Sequence, residues 1–556
     1  MARARVSLGS DVWVDTRDVA GISRGSGADA LALTVHTFPP RGGVFRRRRR
    51  SGAHRVDHVL RFDSVVALIA ARDRVLAECM PPSSLWNRPG SAREKLLVLL
   101  NPAAGRGDGV RAYERDVAPV LAALHGCGVV VEMRVTALKG EAMKIAKSLD
   151  LDAYRAIVCV GGDGTLAEVF NGLMTRTDAS VAQSFPVGVV PAGSGNAVAK
   201  SLSHRVGQPC DNVTAALAIA RGHLVSLDRA EFRAEEAAST TTEKDGAAPG
   251  SPRHQARSER LPIAMHSLLS LSWGFFSDVD IESERWRFLG GARFTVGAIV
   301  RVLFMRRYDA KIRFRPLGAE DAADAAFFLE DGSSDEEEDD GAFYNKFDIS
   351  RSRKRKGSYA PSGAHRMASP LDARAAKRAA KAAARGAKAG VEMADRPGWR
   401  EIAGSDVQGV WALNLPWAAE DMFAAPAAQC SDGAFDLLVF KGHSRLSLLL
   451  NLLKLDAGRH VPHSRVTYVK ASELEVVPGA SSTGRGGYIA VDGELVARAR
   501  EIGGGLGGDG SVPGGATTVV TESDRNWRVP YGPMSLRVVR GSARVFGSSR
   551  GGGEEV

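Results

Sequence analysis

The chain has 556 residues, 44% of them hydrophobic, enough for two or three domains with a sizeable core. Its formal charge is +10, from 74 Lys and Arg against 64 Asp and Glu, which suits an anionic partner such as a nucleotide or an anionic membrane. Five scattered cysteines (Cys79, Cys127, Cys159, Cys210, Cys430) without a C-x-x-C argue against a disulfide framework or a structural zinc, and no nucleic acid is expected, since zinc spacing and an aromatic RNA-binding signature are both missing.

The start, "MARARVSLGSDVWVDTRD", has no apolar signal-peptide core, and Asp11, Asp15 and Asp18 speak against a transit peptide. The longest apolar stretch, "LSLLLNLLKL" at 446–455, is too short to cross a bilayer, so a cytoplasmic chain is expected. Residues 1–92 alternate strand-like pieces with basic and Gly-rich loops. "FRRRRR" at 45–50 is a solvated loop or a patch for anionic lipid. "DSVVALIAARDRVLAEC" spaces its apolar residues as a helix does.

From Lys95 the pattern changes. "KLLVLLN", "VVVEMRVT", "AIVCV" and "FPVGVVP" are apolar strands, each followed by a helical stretch. This alternation predicts a parallel sheet covered on both faces over residues 93–227. Glycines cluster where strands end and helices begin, the place where open α/β sheets hold phosphates.

Beyond residue 227 strands dominate: "IAMHSLLSLSWGFF", "KIRFRP", "GVWALNL", "DLLVFKG", "RVTYVKASELEVVP" and "GYIAVDGEL". The fold class is therefore α/β plus β, with a mainly antiparallel β region over 228–500 and a nucleotide cleft between the two. Low-complexity insertions interrupt it near 234–260 and 317–400, and a Gly-rich one fills 501–530. Final strands at 531–548 and a disordered tail at 549–556 complete the organisation.

Gly-Gly-Asp-Gly occurs twice. At 507–510 it floats among glycines with no strand before it and reads as a linker. At 161–164 it follows a buried strand and opens a helix. Gly161 and Gly162 let a phosphate approach without meeting a Cβ. Asp163 would orient a hydroxyl and accept its proton during attack on a γ-phosphate, or else it caps the helix. Two companion loops, "LLNPAAGRGDG" and "VVPAGSGNAVA", add Asn101 and Gly193, Ser194, Gly195 and Asn196. Three such turns in one α/β region point to polyphosphate, and neither a Walker motif nor the protein-kinase set is present.

"LLNPAAGRG", "VGGDGTLAEVFNGLM" and "PAGSGNAVAKSL" resemble the diacylglycerol kinase-type catalytic domain. "SLLSLSWGFFSDVDIESERWRFLGGARFTVG", "DMFAAPAAQCSDGAFDLLVF", "AGRH", "VDGEL" and "GPMSLRVVRGSARVF" narrow the resemblance to sphingosine (long-chain base) kinases. Residues 1–92 loosely resemble the pleckstrin-homology-like region that precedes some of these enzymes. The resemblance implies an ATP- and Mg²⁺-dependent lipid kinase that phosphorylates the primary hydroxyl of a sphingoid base. It implies Asp163 as general base, with Gly161, Gly162 and Gly164 bordering the substrate. Asn101, Pro102, Ala103, Thr136, Glu168, Gly193, Ser194 and Gly195 fall at nucleotide positions, Arg287 and Arg293 at ATP phosphates. Asp492, Gly493 and Glu494 would close the nucleotide site through Mg²⁺, though a polar hairpin turn is the alternative. No residue is assigned as a dedicated metal ligand.

Asp280 is expected to set the substrate, by pairing with the ammonium that a sphingoid base has and ceramide or diacylglycerol lacks. The alternative is a plain Asp at the start of a helix. Ser270 is a second headgroup contact, and Phe275 with the surroundings of Met422 and Phe423 lines the tail pocket. "FTVGAIVRVLFMRR" at 294–307 is expected to touch an anionic membrane peripherally, or to pack in the core. The functional alternatives are a ceramide or diacylglycerol kinase and a catalytically silent lipid-binding scaffold.

Overall fold

The computed structural model describes residues 5–7, 13–15, 18–24, 29–39, 55–79, 84–86, 95–105, 107–236, 263–289, 292–317, 392–393, 396–482, 487–497 and 531–547. The arginine run at 45–50, the second Gly-Gly-Asp-Gly, most of the three insertions and the tail lie outside them.

Near the N-terminus β1 (Arg5–Ser7) pairs with β2 (Trp13–Asp15). Strands β3 (Val19–Arg24), β4 (Ala32–Thr37) and β5 (Val56–Arg61) form an antiparallel sheet backed by the helix Val65–Cys79 through Val35, Ile22 and Val75. Ala20, Phe38 and Trp86 turn instead into the core of the next layer.

That layer is parallel, in the order β7 (Val130–Val135), β6 (Lys95–Leu100), β8 (Tyr154–Gly161), β9 (Val187–Pro191). Successive side chains of a strand point to opposite faces, and both faces of the inner strands β6, β8 and β9 are covered, while the edge strand β7 is largely exposed. Leu97, Leu99, Ile157 and Cys159 meet the helices Glu141–Ser148, Asp163–Met174 and Ala197–Arg205. Leu96, Val98, Ala156 and Val158 meet the segment 109–127 and the helix Asn212–Arg221. The predicted single helix after β6 is instead broken into α-helical, π-helical and 3₁₀ turns between Gly109 and Cys127. Pro119, which has no N–H to donate, stands just after the π turn.

The remaining strands are β10 (Leu224–Glu236), β11 (Ile263–Ser267), β12 (Ser270–Gly274), β13 (Tyr308–Pro316), β14 (Glu392–Met393), β15 (Arg400–Leu413), β16 (Phe435–Lys441), β17 (Val466–Ser481), β18 (Ile489–Val491), β19 (Glu494–Ala497) and β20 (Tyr531–Phe546). All pair antiparallel with one another. β15 is shared: residues 400–407 pair with β13, and residues 407–413 with β16. β20 runs antiparallel to β10 and β17 and meets β9 in parallel at Val545 and Val187. One fifteen-stranded mixed sheet therefore runs through both regions.

"IAMHSLLSLSWGFF" reads as one strand but forms two, β11 and β12, with a turn at Leu268–Leu269 and a helix from Phe275. That helix, Phe275–Ser283, starts five residues before Asp280, so Asp280 is not a helix-start residue.

Candidate functional site

Three strand ends of the parallel layer meet. β6 ends in the turn holding Asn101, Pro102 and Ala103, β8 ends at Gly161, and β9 runs into Gly193, Ser194 and Gly195. Gly162 and Gly193 pack backbone on backbone: a Cβ on Gly162 would stand 3.1 Å from the Cα of Gly193, and a Cβ on Gly193 would overlap the Cα of Gly162. Gly105, at φ +61°, abuts the carbonyl of Ala192, where a Cβ would come within 2.6 Å. Asn101 ties two turns together. Its Nδ2 donates to the Thr165 hydroxyl at 3.1 Å and its Oδ1 accepts from the Ala103 N–H at 3.0 Å. The result is a shallow, backbone-lined cradle with Ser194 exposed at its rim. Such cradles suit phosphate groups.

Asp163 opens its helix, but its carboxylate serves the neighbouring one. It accepts from the N–H of Ala197 at 2.9 Å and of Val198 at 3.0 Å. The first-turn donors of the helix Ala197–Arg205 are thus taken by a protein carboxylate rather than left for a ligand. Burial pushes the Asp163 pKa up, the two N–H groups pull it down, and the charge of Asp492 adds a further upward push.

Asn196 holds the third turn in a left-handed conformation at φ +55°. Its Oδ1 accepts from the Gly193 N–H, and its Nδ2 donates to the Gly193 carbonyl and to Glu420 Oε1 at 2.8 Å. The Glu420 N–H returns a bond to the Gly195 carbonyl at 2.9 Å. Glu420 escapes the sequence reading because it carries no motif of its own.

Thr136 is buried, and its hydroxyl donates to the Leu100 carbonyl at 3.3 Å. Glu168 accepts from the Gly140 N–H at 2.9 Å, and burial raises its pKa. Lys139, also missed from the sequence, bonds Glu494 Oε2 at 2.6 Å and feels Glu284 and Glu168 as well. Glu494 Oε1 in turn stands 3.3 Å from where a Cβ on Gly164 would be, so Glu494 faces the Gly-Gly-Asp-Gly loop.

Asp492 is engaged by the protein's own donors. It is buried, and its carboxylate accepts from the Ser267 hydroxyl and from the N–H groups of Leu268, Leu269 and Ser270 at 2.5 to 3.0 Å. It clamps the β11–β12 turn. Ser270 is held in that clamp, and its carbonyl accepts from the Asp492 N–H at 2.8 Å. Of the two acidic residues of the Asp492–Glu494 turn, Glu494 faces the Gly-Gly-Asp-Gly loop, and the charge of Asp492 is felt by Asp163.

Asp280 and Arg293 form the other wall. Arg293 Nη2 lies 3.7 Å from Asp280 Oδ1, and Nη1 lies 3.6 Å from Glu284. The guanidinium is 9% exposed, yet its Nε and Nη1 have no hydrogen-bond partner. A buried cation with unused donors is costly unless an anion completes it. Asp280 keeps 26% exposure and has a pKa pushed up to about 7, by desolvation first, opposed by Arg293 and reinforced by Glu284 and Glu494. Gly493 lies against it, since a Cβ there would stand 3.5 Å from Oδ2. The Arg287 side chain lies outside the described residues.

Asp278, two residues before Asp280, is structural. It accepts from the hydroxyl of Tyr308, from Arg306 at 2.8 Å and from the N–H groups of Gly487 and Tyr488. Phe275 is buried in one apolar cluster with Trp411, Phe440 and Leu448, and Met422 packs against it, while Phe423 is buried against the rings of Trp417 and His204. Among the described residues no group of three or more His, Cys, Asp or Glu is placed to hold a metal ion.

Residues 95–232 match the diacylglycerol kinase catalytic domain, and residues 401–502 match the YegS C-terminal NAD kinase beta sandwich-like domain. Sphingosine kinase 1 of Arabidopsis thaliana is 33% identical over 411 residues, covering 73% of this chain and 70% of the plant protein. Human sphingosine kinase 1 is 29% identical over 413 residues, covering 72% and 86% respectively. A putative diacylglycerol kinase structure from Bacillus anthracis aligns over 82% of this chain and 97% of its own, at 16% identity and a TM-score of 0.42. A cradle of glycine turns, an acidic and basic cleft wall, and a relative of this identity and span lead to one placement: the chain is a lipid kinase and belongs to the sphingosine kinase family.

Proposed function

We propose that the protein transfers the γ-phosphoryl group of ATP to the primary hydroxyl of a sphingoid base. One observation carries the reading: a carboxylate and an incompletely bonded guanidinium stand side by side at Asp280 and Arg293. The first offers a counter-charge to an ammonium, the second to a phosphate. A neutral lipid headgroup would leave Asp280 without its partner.

In this reading the ATP phosphates lie along the turns at Asn101–Ala103, Gly161–Gly164 and Gly193–Gly195, with Arg293 supplying fixed positive charge to the transferring group. The substrate oxygen attacks the γ-phosphorus, the bond to the bridging oxygen breaks, and its electron pair leaves with ADP. Asp163 orients the hydroxyl and takes its proton. Each carboxylate oxygen accepts one backbone N–H and keeps a second lone pair for this. Those two bonds also fix the carboxylate in place, so it needs no reorganisation during the reaction. Glu494, directed at the Gly164 turn, is the residue that fits Mg²⁺, which would be shared with the phosphates and neutralise their charge. Lys139 holds Glu494 in position from the other side.

The tail of the base fits the cluster around Phe275 and Trp411, against which Met422 packs. Burying roughly 15 methylenes at ~0.8 kcal/mol each is offset by leaving an equally apolar bilayer, so headgroup contacts must choose the substrate. Peripheral contact with an anionic membrane fits Val296, Ile299, Leu303 and Phe304, exposed along the helix Ala292–Leu303 and its end. No helix among the described residues is long and apolar enough to cross a membrane. The test is transfer of labelled phosphate from ATP to sphingosine, phytosphingosine, ceramide and diacylglycerol. Product is expected from the first two. Product from ceramide or diacylglycerol alone would overturn the headgroup assignment, and no product from any would favour a silent scaffold.

A further inference from the structure

The helix Ala292–Leu303 does not stand alone at the surface. It packs against the helix Arg445–Leu452, and both bury one side in the same apolar cluster, through Val302 and Leu448. Their other sides stay uncovered. Ile299, Leu303, Phe304, Leu446, Leu450 and Leu453 are 46% to 68% exposed. Six large apolar side chains on two touching helices form a patch of the kind that marks an interaction surface.

The base of this patch is basic. A groove of about 570 Å³ is lined by Met305, Arg307, Ser444, Arg445, Leu446 and Ser482. The neighbouring arginines are already paired: Arg301 with Glu282 at 3.1 Å, and Arg306 with Asp278 and Glu282 at 2.8 and 2.9 Å. Arg307 and Arg445 are exposed, and among the described residues neither has a carboxylate within ion-pair distance. Ser444 and Ser482 each accept one backbone N–H, from Ser447 and Arg307, and each keeps its own O–H to donate. Two open guanidinium groups and two hydroxyls around one groove match a phosphate monoester or diester.

We infer that this groove seats the phosphate headgroup of an anionic phospholipid while the leucines of both helices enter the bilayer interface. The inference rests on the lipid-kinase reading, and on its membrane contact, but adds the second helix and a defined headgroup site. Charge selects the occupant: unpaired cations at the rim of an apolar patch fit an anionic lipid surface, where each contributes attraction on top of apolar burial.

The test is co-sedimentation of the full chain with phosphatidylcholine vesicles, with and without phosphatidic acid. The parent should bind the acidic vesicles more tightly. Arg307→Gln with Arg445→Gln should weaken that binding by about 25-fold and leave neutral vesicles unaffected. Leu446→Ser with Leu450→Ser should weaken binding to both. In all cases turnover on carrier-presented long-chain base should stay at the parent level, which also shows that the variants fold. If the arginine variant keeps the parent's preference for acidic vesicles, the headgroup site is refuted. If Val296→Ser with Ile299→Ser abolishes binding and the Leu446 and Leu450 variant does not, the membrane reading stands and the two-helix surface falls. A chain that dimerises through Leu446 and Leu450, with binding to vesicles unchanged, would also overturn it. Failure of the phosphoryl-transfer assay would sink the kinase reading separately, without touching the vesicle result.

Discussion

Gly162 and Gly193 hold two strand-end turns in direct backbone contact, so that a Cβ on Gly193 would overlap Gly162 and one on Gly162 would crowd Gly193. Gly193→Ala should therefore force the turns apart at a cost of about 1–3 kcal/mol. The thermal shift on adding ATP should disappear in this variant. A shift equal to the parent's would show that the contact does not shape the nucleotide site.

Asp163 anchors a helix and is assigned the proton of the substrate. Asp163→Asn should lower turnover by about 10²- to 10⁴-fold while ATP binding persists. It should also lose about 1–2 kcal/mol of stability, because an amide NH₂ group cannot accept from the Ala197 and Val198 N–H groups as the lost oxygen does. Turnover near the parent rate would remove Asp163 from the base role.

Arg293 predicts an unusual pairing of effects. Arg293→Met removes a buried charge whose donors are incompletely used, and Asp280, with its raised pKa, can take up a proton once its cation is gone, so the ligand-free protein should lose little stability near neutral pH. The KM for ATP should rise about 30-fold or more. Urea unfolding of the ligand-free variant, set beside steady-state kinetics, separates the two. A large loss of stability with an unchanged KM would make Arg293 a structural residue.

Asp280 should give the enzyme a pH signature. Its pKa is raised to about 7, so an ammonium bound beside it favours the ionised form. The kcat/KM for a long-chain base should climb as pH rises through about 7, and Asp280→Asn should flatten that climb. The sign for stability is opposite. Between its ordinary value of 3.8 and about 7, Asp280 keeps its proton in the folded state and loses it in the unfolded one, so its contribution to stability falls as pH rises through that window. Calorimetry of parent and variant across this range checks both signs.

Asp492 and Glu494 should separate cleanly. Asp492→Asn disturbs four hydrogen bonds in the β11–β12 turn and should cost about 2–4 kcal/mol of stability. Glu494→Gln should leave stability nearly unchanged and raise the Mg²⁺ concentration needed for half-maximal rate. Equal stability losses in the two variants would contradict this division.

The parallel layer is legible in the sequence because its inner strands β6, β8 and β9 are almost wholly apolar and run into glycine-containing turns, signals that are local; the edge strand β7, with Glu132 and Arg134, carries a weaker signal. The first Gly-Gly-Asp-Gly can be told from the second for the same reason. What the chain hides is long-range. Glu420 binds Asn196 from 224 residues away, and Lys139 reaches Glu494 across 355. No spacing rule connects such residues. Asp492 is opaque in another way: only packing shows that Ser267 and the backbone of the turn bond its carboxylate. The broken helix after β6 turns on Pro119, whose missing donor is readable, although the π turn before it is not.

β20 is translated after every other described strand, yet it pairs with β9, β10 and β17. A nascent chain that has already made the glycine turns, Asp163 and Asp280 still lacks the strand that joins the two halves of the sheet. The cleft between them therefore cannot be completed until synthesis has passed Phe546, and a ribosome stalled within the preceding Gly-rich stretch would hold two partly formed layers with open edges. Open strand edges pair readily with other chains, so until the last strand is in place this chain is exposed to misassociation.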